Sequence, residues 1–234
     1  MENWKLYHGS QVVVDAPSLD KARSHNDYGR GFYTTPHWDL ACEWACQKGS
    51  DGFVNSYALD PQGLTVLDLL DGTHTTLEWI ALLLANRRFD LRLPTAAAAR
   101  EQLVARFMPS IASADVVIGY RADDSYFSFA RAFVENTLPL GILDEAMRLG
   151  DLGEQVVLVS EEAFCKLSFT GYESVSSRVY YPRFVTRDSR ARNEYQHLAA
   201  STSRSLNDLY VIDILREEMG PNDPRIQQHV PCRR

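Results

Sequence analysis

The pattern of short apolar runs is the feature of this 234-residue chain that most constrains its fold. The longest run has about eight residues, well below the roughly 20 needed to cross a bilayer. Strand-like runs occur at residues 4–8, 11–14, 32–35, 53–59, 64–67, 115–119, 155–159 and 164–169. Helical patterns begin after caps at Thr75 or Thr76, Thr95 and Asp124, and recur at residues 36–47, 140–148 and from Tyr195 onward. These patterns predict an α+β fold in one domain (residues 1–234), with a helical insertion at about 75–109 and a C-terminal helical segment at about 193–219.

Charge and cysteine content narrow the classes of function. The net charge of −7 argues against nucleic-acid binding over the whole surface, because phosphate contacts need clustered Lys and Arg. Four cysteines are too few for a disulfide framework in a chain of this length, which fits a reducing compartment. The first residues carry an acidic side chain and no apolar run, unlike a signal peptide. We therefore expect a cytoplasmic protein with no membrane partner.

One segment departs from the acidic average. Between Arg178 and Arg204 six arginines stand against Asp188 and Glu194. This segment is either a solvated helix face or a surface for an anionic ligand or nucleic acid.

A metal site is the less favoured interpretation of the cysteines. Cys42 and Cys46 lie four residues apart on a predicted helix, but no Cys or His pair elsewhere completes a ligand set. The six histidines include no pair at metal-ligand spacing. We expect buried packing for the two cysteines and no metal cofactor.

Polar residues in three predicted strands are the candidates for chemistry. His8 precedes a glycine, Tyr33 lies two residues after a glycine, and Glu154 and Gln155 follow another. Glycine lets a ligand approach the backbone closely. Taken singly, each position also has a structural interpretation, as a hydrogen-bonded histidine or a half-buried tyrosine.

The sequence around these positions resembles the ADP-ribosyltransferase superfamily, on its diphtheria-toxin and poly-ADP-ribose-polymerase side. The resemblance lies in LYHGS at residues 6–10, in GRGFYTT at residues 29–35 and in the strand GEQVVLV at residues 153–159. It implies that His8 bonds the nicotinamide-side ribose of NAD, that the Gly9 backbone holds the carboxamide and that Tyr33 stacks on nicotinamide. The implied NAD-binding residues are His8, Gly9, Ser10, Arg30, Gly31, Tyr33, Thr34 and Trp44, with Arg30 or an arginine of residues 183–192 near the diphosphate.

The chain departs from the family pattern in the helix after Tyr33. The polymerase relatives carry a carboxamide-binding serine and a second stacking tyrosine where this chain has Ala41 and Trp44. Trp44 retains the ability to stack. The carboxamide contact then falls to Gly9 and the hydroxyl of Ser10 or Thr34.

A second departure concerns the catalytic strand. Register places Gln155 where the family carries a glutamate that bonds a ribose hydroxyl and stabilises the oxocarbenium-like charge. Glu154 is adjacent but points to the opposite face unless a bulge intervenes. The implied catalytic residues are therefore His8, Tyr33 and Gln155.

A narrower resemblance lies in the stretch DVVIGYRADD at residues 115–124. It is similar to an uncharacterised bacterial family grouped with these transferases, which also carries Gln at the catalytic strand. Asp124 is most simply a helix cap, but Asp123 or Asp124 could replace the missing glutamate charge if their loop covers the nicotinamide pocket.

The resemblance implies a fold and an activity. The fold would be a split pair of mainly antiparallel sheets with NAD in the cleft between them. The activity would be single-unit ADP-ribose transfer from NAD to a protein or nucleic acid, as in a bacterial toxin that needs an antitoxin or immunity partner. Alternatives are a catalytically silent NAD or ADP-ribose binding module and an NAD glycohydrolase.

Overall fold

The structure, a computed structural model, describes residues 2–22, 24–91, 93–121, 124–147, 149, 153–201 and 208–231, without the side chains of 124–126, 199 and 201. Its strands are β1 (Trp4–Ser10), β2 (Phe32–Thr34), β3 (Gly52–Leu59), β4 (Val66–Asp68), β5 (Val116–Tyr120), β6 (Glu154–Leu158) and β7 (Leu167–Val175). Its helices are α1 (Trp38–Ala45), α2 (Thr76–Asn86), α3 (Pro94–Phe107), α4 (Asp124–Val134), α5 (Leu140–Ala146), α6 (Glu161–Cys165), α7 (Ser177–Ser201) and α8 (Val211–Arg216). Helices and mostly antiparallel sheets together confirm the α+β class.

The chain forms two compact units, each assembled from separate stretches of sequence. The first unit contains Met1–Asp68, Ser110–Arg121 and Leu152–Asp188. The second contains Leu69–Pro109, Ala122–Asp151 and Ser189–Arg234. One domain with a helical insertion stays a prediction.

The first unit carries two sheets. One has the strand order β1-β3-β7 and is antiparallel throughout, while the other has the order β2-β6-β5-β4 with β4 and β5 parallel. The two sheets meet at Tyr7 and Thr35, which exchange backbone hydrogen bonds of 2.8 and 2.9 Å. The predicted strands at residues 53–59, 115–119 and 155–159 are thereby confirmed to within one residue.

Helix α1 packs on the β1 side of the three-stranded sheet. Cys42 of this helix and Cys46, the residue after its end, are buried in an apolar cluster with Tyr7, Val54 and Val175. Burial raises the pKa of the Cys42 thiol to about 11, so this group is an uncharged packing residue at neutral pH. The predicted packing role of both cysteines is confirmed.

The predicted strand at residues 11–14 is wrong. Strand β1 continues through Gly9 to Ser10, and the segment after it pairs with one side chain instead of with a strand. The Asn55 amide donates to the carbonyls of His8 and Val12, and its oxygen accepts the Val14 N–H at 2.8 Å. The Val12 carbonyl and the Val14 N–H thus find a side-chain partner in place of a neighbouring strand.

Two further boundaries differ from prediction in the C-terminal half of the first unit. Residues 164 and 165 end α6, whose first turn is capped by Ser160, so the following strand begins only at Leu167. Helix α7 begins at Ser177, well before Tyr195, because the Asp51 carboxylate accepts the Ser177 N–H and hydroxyl at 2.7 and 2.8 Å. Pro182 lies within this helix.

The second unit contains α2, α3, α4, α5 and α8. The predicted cap at Thr75 is confirmed, since the Thr75 N–H donates to the Glu78 carboxylate at 2.6 Å. The predicted cap at Thr95 is wrong, because α3 begins at Pro94, which has no N–H to satisfy at a first helical position. Within the described ranges, no helix combines the length and apolar character needed to span a membrane.

Candidate active site

The backbone pairing between β1 and the β2 segment is a single bridge, between Tyr7 and Thr35. At the next step along this edge His8 Nδ1 lies 2.7 Å from the carbonyl oxygen of Tyr33. Hydrogen-bonding direction alternates along a strand, so the N–H and C=O of Gly9 point to the same side as those of Tyr7, away from β3. Gly9 therefore presents one backbone donor and one acceptor where the two sheets separate.

Glycine at position 9 also has a packing reason. A methyl group there would lie 1.9 Å from the Ala41 carbonyl oxygen and 2.6 Å from the Ala45 nitrogen, both in the backbone of α1. Trp44 Cβ would lie 2.9 Å away. Helix α1 thus sits directly against the backbone of the strand that carries His8.

The environment of His8 fixes its protonation state. Burial lowers the pKa of His8 below its ordinary value of 6.5, and the bond to Tyr33 opposes that shift. The ring is therefore neutral at pH 7, and because a carbonyl only accepts, Nδ1 must carry the proton. Nε2 is left as an acceptor, and the ring packs against Phe32 with centroids 4.6 Å apart.

Tyr33 fastens the preceding turn to β2. Its hydroxyl donates to the Gly29 carbonyl at 2.7 Å and accepts the Tyr28 N–H at 3.0 Å. Tyr33 lies opposite Val157 of β6, so both side chains lie on one face of the four-stranded sheet. Residues two apart on a strand share a face, which places Gln155 on this face as well.

Gln155 is buried, with 5% of its surface exposed, under the same turn. Its Nε2 donates a long hydrogen bond, 3.4 Å, to the carboxylate of Asp27, whose exposed fraction is also 5%. Opposite Gln155 on β5 is Gly119, where a methyl group would lie 2.1 Å from the Tyr28 hydroxyl oxygen. That hydroxyl donates to the Tyr120 carbonyl at 2.6 Å. The turn at residues 26–29 therefore covers this part of the sheet face.

The register of β6 separates Gln155 from its acidic neighbour. Pairing with β5 runs without a shift from Val116–Leu158 to Tyr120–Glu154, so no bulge turns Glu154 to the Gln155 face. The alternative carboxylates considered from the sequence are Asp123 and Asp124. Asp123 and the side chain of Asp124 lie outside the described residues.

Trp44 projects from α1 near Gly9 and packs against a cation. The Arg121 guanidinium carbon lies 4.9 Å from the centre of the Trp44 ring. Trp44 Nε1 is buried and has no hydrogen-bond partner among the described residues. The ring proposed from the sequence as a second stacking surface thus has Arg121 against one face.

The two hydroxyls predicted to help bind the carboxamide already have partners. Thr34 is fully buried, and its hydroxyl donates to the Val156 carbonyl at 2.6 Å. The Ser10 hydroxyl donates to the Val12 carbonyl and accepts from the Asn55 amide. Because each hydroxyl has one proton, neither is free to donate to a ligand without breaking these bonds.

The two remaining predicted positions, Arg30 and Gly31, have structural roles here. Arg30 is exposed and bonds the Leu19 carbonyl and the Asp20 carboxylate, at 3.0 and 3.3 Å. A methyl group on Gly31 would lie 2.7 Å from the Leu158 carbonyl oxygen, so this glycine is needed for close packing on β6.

The basic segment is partly neutralised by α1. Arg187 pairs with Glu43, and each side chain is 11% exposed, while Arg183 lies 3.4 Å from Asp39. Arg187 is therefore part of a largely buried ion pair between α7 and α1. This segment of α7 combines structural and exposed arginines.

Sequence reasoning missed two side chains that shape this region. Asn55 and Asp27 lie in a strand and a turn with no motif around them, and their partners are distant in the sequence. The turn-forming residues before Gly29 were the only local signal for Asp27. Among the described residues, no cluster of three or more His, Cys, Asp or Glu is suited to a metal ion.

Comparison with known proteins gives one match. A family model described as a protein of unknown function (DUF3990) matches residues 4–169, which include β1, β2, β5 and β6. No curated protein and no solved structure matches the chain. The family match spans more than half of the 234 residues. The chain therefore belongs to the DUF3990 family of proteins of unknown function.

Proposed function

We propose that this chain is an NAD-dependent mono-ADP-ribosyltransferase with the split-sheet fold of that superfamily. The observation that carries the proposal is the opening beside the single bridge between Tyr7 and Thr35, where Gly9 presents its backbone N–H and C=O. A primary carboxamide has one donor and one acceptor side, so the nicotinamide amide can pair with the Gly9 N–H and C=O as a short strand would.

Two further groups fit a bound ribose. Neutral His8 has an acceptor at Nε2, and Gln155 has an acceptor at Oε1. Each atom can accept a hydrogen bond from a hydroxyl group. Ribose hydroxyls are donors of that kind. Of the two aromatic rings that the resemblance assigns to nicotinamide, Tyr33 shares a sheet face with Gln155, and Trp44 lies on α1, the helix that packs against Gly9.

The reaction follows from the chemistry of NAD. The bond between the ribose C1′ and the nicotinamide nitrogen breaks, and its electron pair goes to the pyridinium ring, which leaves as neutral nicotinamide. A nucleophile of the acceptor forms a bond to C1′ and releases its proton to water. Gln155 can hold a ribose hydroxyl but adds no negative charge, which favours transfer of single units over chain extension.

Silent binding is the second candidate function. It is favoured by the neutral Gln155 at the position of the family glutamate and by Ala41 in place of the carboxamide-binding serine. In that case the chain would bind NAD or ADP-ribose without releasing nicotinamide. The roles of toxin and of an antitoxin or immunity partner rest on the resemblance alone.

The fate of labelled NAD tests the proposal. Purified protein is incubated with cell lysate and NAD labelled in its adenylate phosphate, and the products are treated separately with RNase, DNase or protease. Transfer predicts labelled macromolecule that one treatment removes, and loss of label in His8→Ala and Gln155→Ala. Release of free ADP-ribose alone would identify a glycohydrolase, and binding without any release would identify a silent module.

The acceptor class is better identified by these digestions than by charge reversal in α7. Reversal at Arg187 would break the pair with Glu43 and perturb the helix that carries Trp44. Arg190 is a more suitable position, because it is exposed and lies 3.8 Å from Glu194. Charge reversal there should weaken labelling of an anionic acceptor only.

A further inference from the structure

The amide of Gln155 has a defined orientation because of its neighbour. The Gln155 group that faces Asp27 is the NH2 group, because Gln155 Nε2 donates to a carboxyl oxygen of Asp27 at 3.4 Å. The amide oxygen must then face the other way. Oε1 is buried and has no hydrogen-bond partner among the described residues. A buried acceptor in that state is costly and calls for a donor.

Asp27 is held in place by the turn around it. The Tyr28 hydroxyl bonds the Tyr120 carbonyl at 2.6 Å, and the Tyr33 hydroxyl bonds the Gly29 carbonyl at 2.7 Å. The two residues that follow Asp27, Tyr28 and Gly29, are therefore tied to β5 and β2. Because the turn is held in place, the Asp27 side chain can hold the Gln155 amide in one orientation.

We propose that Asp27 is a positioning residue, which holds the Gln155 amide so that Oε1 accepts a hydroxyl of the nicotinamide ribose. This inference rests on the proposed function and adds to it a residue outside the three sequence motifs. Asp27 itself does not contact the ribose. The Asp27 side chain keeps the Gln155 amide from turning its NH2 group toward the ribose. An NH2 group in that place could not accept a hydrogen bond from the ribose hydroxyl.

The test compares substrates rather than activity alone. Nicotinamide release is measured with NAD and with analogues lacking either the 2′ or the 3′ hydroxyl of the nicotinamide ribose. The ratio of kcat/KM for NAD to that for each analogue is then compared between variants. The intrinsic reactivity of an analogue is the same for every variant and cancels in this comparison.

Two variants remove the arrangement in different ways. Asp27→Asn keeps the size of the side chain but can face Gln155 with either its oxygen or its NH2, and Gln155→Met keeps volume but removes the acceptor. In each, the preference for NAD over one of the two analogues should fall by roughly fivefold, the worth of one buried hydrogen bond. The double variant should lose no more than Gln155→Met alone, because both changes act on one contact.

Asp144→Asn is the matched control, a buried aspartate of the second unit that accepts the Thr76 hydroxyl at 2.6 Å. It should leave the preference unchanged. Full preference in Asp27→Asn with its loss in Gln155→Met would overturn the positioning role and leave the proposed function standing. Absence of NAD binding in the wild-type protein would overturn the proposed function itself.

An NMR measurement without NAD tests the positioning role of Asp27 independently of the proposed function. The side-chain NH2 signals of Gln155 are assigned by their loss in Gln155→Met. If Asp27 accepts from this group, the signals shift in Asp27→Asn and stay in place in Asp144→Asn. Unchanged signals in Asp27→Asn would overturn the positioning role whatever the substrate.

Discussion

Gly119→Ala probes the contact that fixes the turn over the candidate active site. The added methyl group would lie 2.1 Å from the hydroxyl oxygen of Tyr28 and 2.8 Å from its Cζ atom. The Tyr28 side chain is buried, with 2% exposure, and its hydroxyl bonds the Tyr120 carbonyl. The ring must move, and the turn that carries Asp27 must move with it.

The expected cost follows from two contributions. Overpacking of a well-packed interior costs about 1–3 kcal/mol, and loss of the Tyr28 hydrogen bond costs about 1 kcal/mol. We expect Gly119→Ala to lower the free energy of unfolding by about 3 kcal/mol in total. For a chain of this length, such a loss lowers the Tm by about 6–12 °C.

Urea unfolding of the wild-type protein and four variants, Gly119→Ala, Tyr28→Phe, their double variant and Gly141→Ala, tests the predicted clash. Tyr28→Phe removes the atom that the methyl group would meet first, so the double variant should be less destabilised than the sum of the single variants by about 1 kcal/mol or more. Gly141→Ala is the control, because its nearest contact would be an ordinary 3.6 Å from His229 Cε1. The predicted clash would be refuted if the losses in free energy of unfolding of Gly119→Ala and Tyr28→Phe added up in the double variant. It would also be refuted if Gly119→Ala lost as little as the Gly141→Ala control.

Three further changes have defined outcomes. Gly9→Ala, whose methyl group would lie 1.9 Å from the Ala41 carbonyl oxygen, should lower the free energy of unfolding by about 3 kcal/mol and abolish NAD binding, as read by urea unfolding and calorimetry. The pKa of His8 is lowered on folding, so stability present above pH 6.5 should fall as the pH drops below that value. His8→Gln should make the free energy of unfolding less dependent on pH below 6.5. An unchanged slope in that range would show that burial does not lower the pKa of His8. Arg187→Ala should destabilise by about 3 kcal/mol because it leaves the Glu43 carboxylate buried without its partner, and a loss under about 0.5 kcal/mol would show that the pair is solvated.

Elements with local signals were predictable from the sequence. The buried strand β5, bounded by turn residues, and helix α4 were placed to within a residue. The Thr75 cap and Glu78 three residues later form a local hydrogen-bonding pattern, which tertiary contacts did not override. Apolar period and capping are properties of neighbouring residues, so the sequence alone reveals them.

Errors arose where a distant side chain decided the local structure. Residues 11–14 have a strand-like composition, but Asn55 satisfies their backbone and no strand forms. Helix α7 starts early because Asp51 accepts from its first residue, Ser177, a partner 126 positions away. Neither interaction has a signature in the segment that it controls.

The candidate site divides in the same way. The motifs around His8 and Tyr33 indicated two strands, and the structure brings His8 Nδ1 to the Tyr33 carbonyl. Strand alternation also indicated that Glu154 and Gln155 face opposite sides, which the uninterrupted register supports. The role of Asp27 could not be predicted, because the sequence gives no sign that its turn folds onto a strand 128 residues later.

Nicotinamide release from NAD by the purified protein is the decisive measurement for the proposed transferase activity. Chromatography of the reaction mixture measures free nicotinamide over time for the wild-type protein, His8→Ala and Gln155→Ala, with Asp144→Asn as the control for folding. We expect nicotinamide release by the wild-type protein and by Asp144→Asn, and loss of release in His8→Ala and Gln155→Ala. Binding of NAD without release of nicotinamide would identify a binding module, and the absence of both binding and release would rule out an NAD-dependent function.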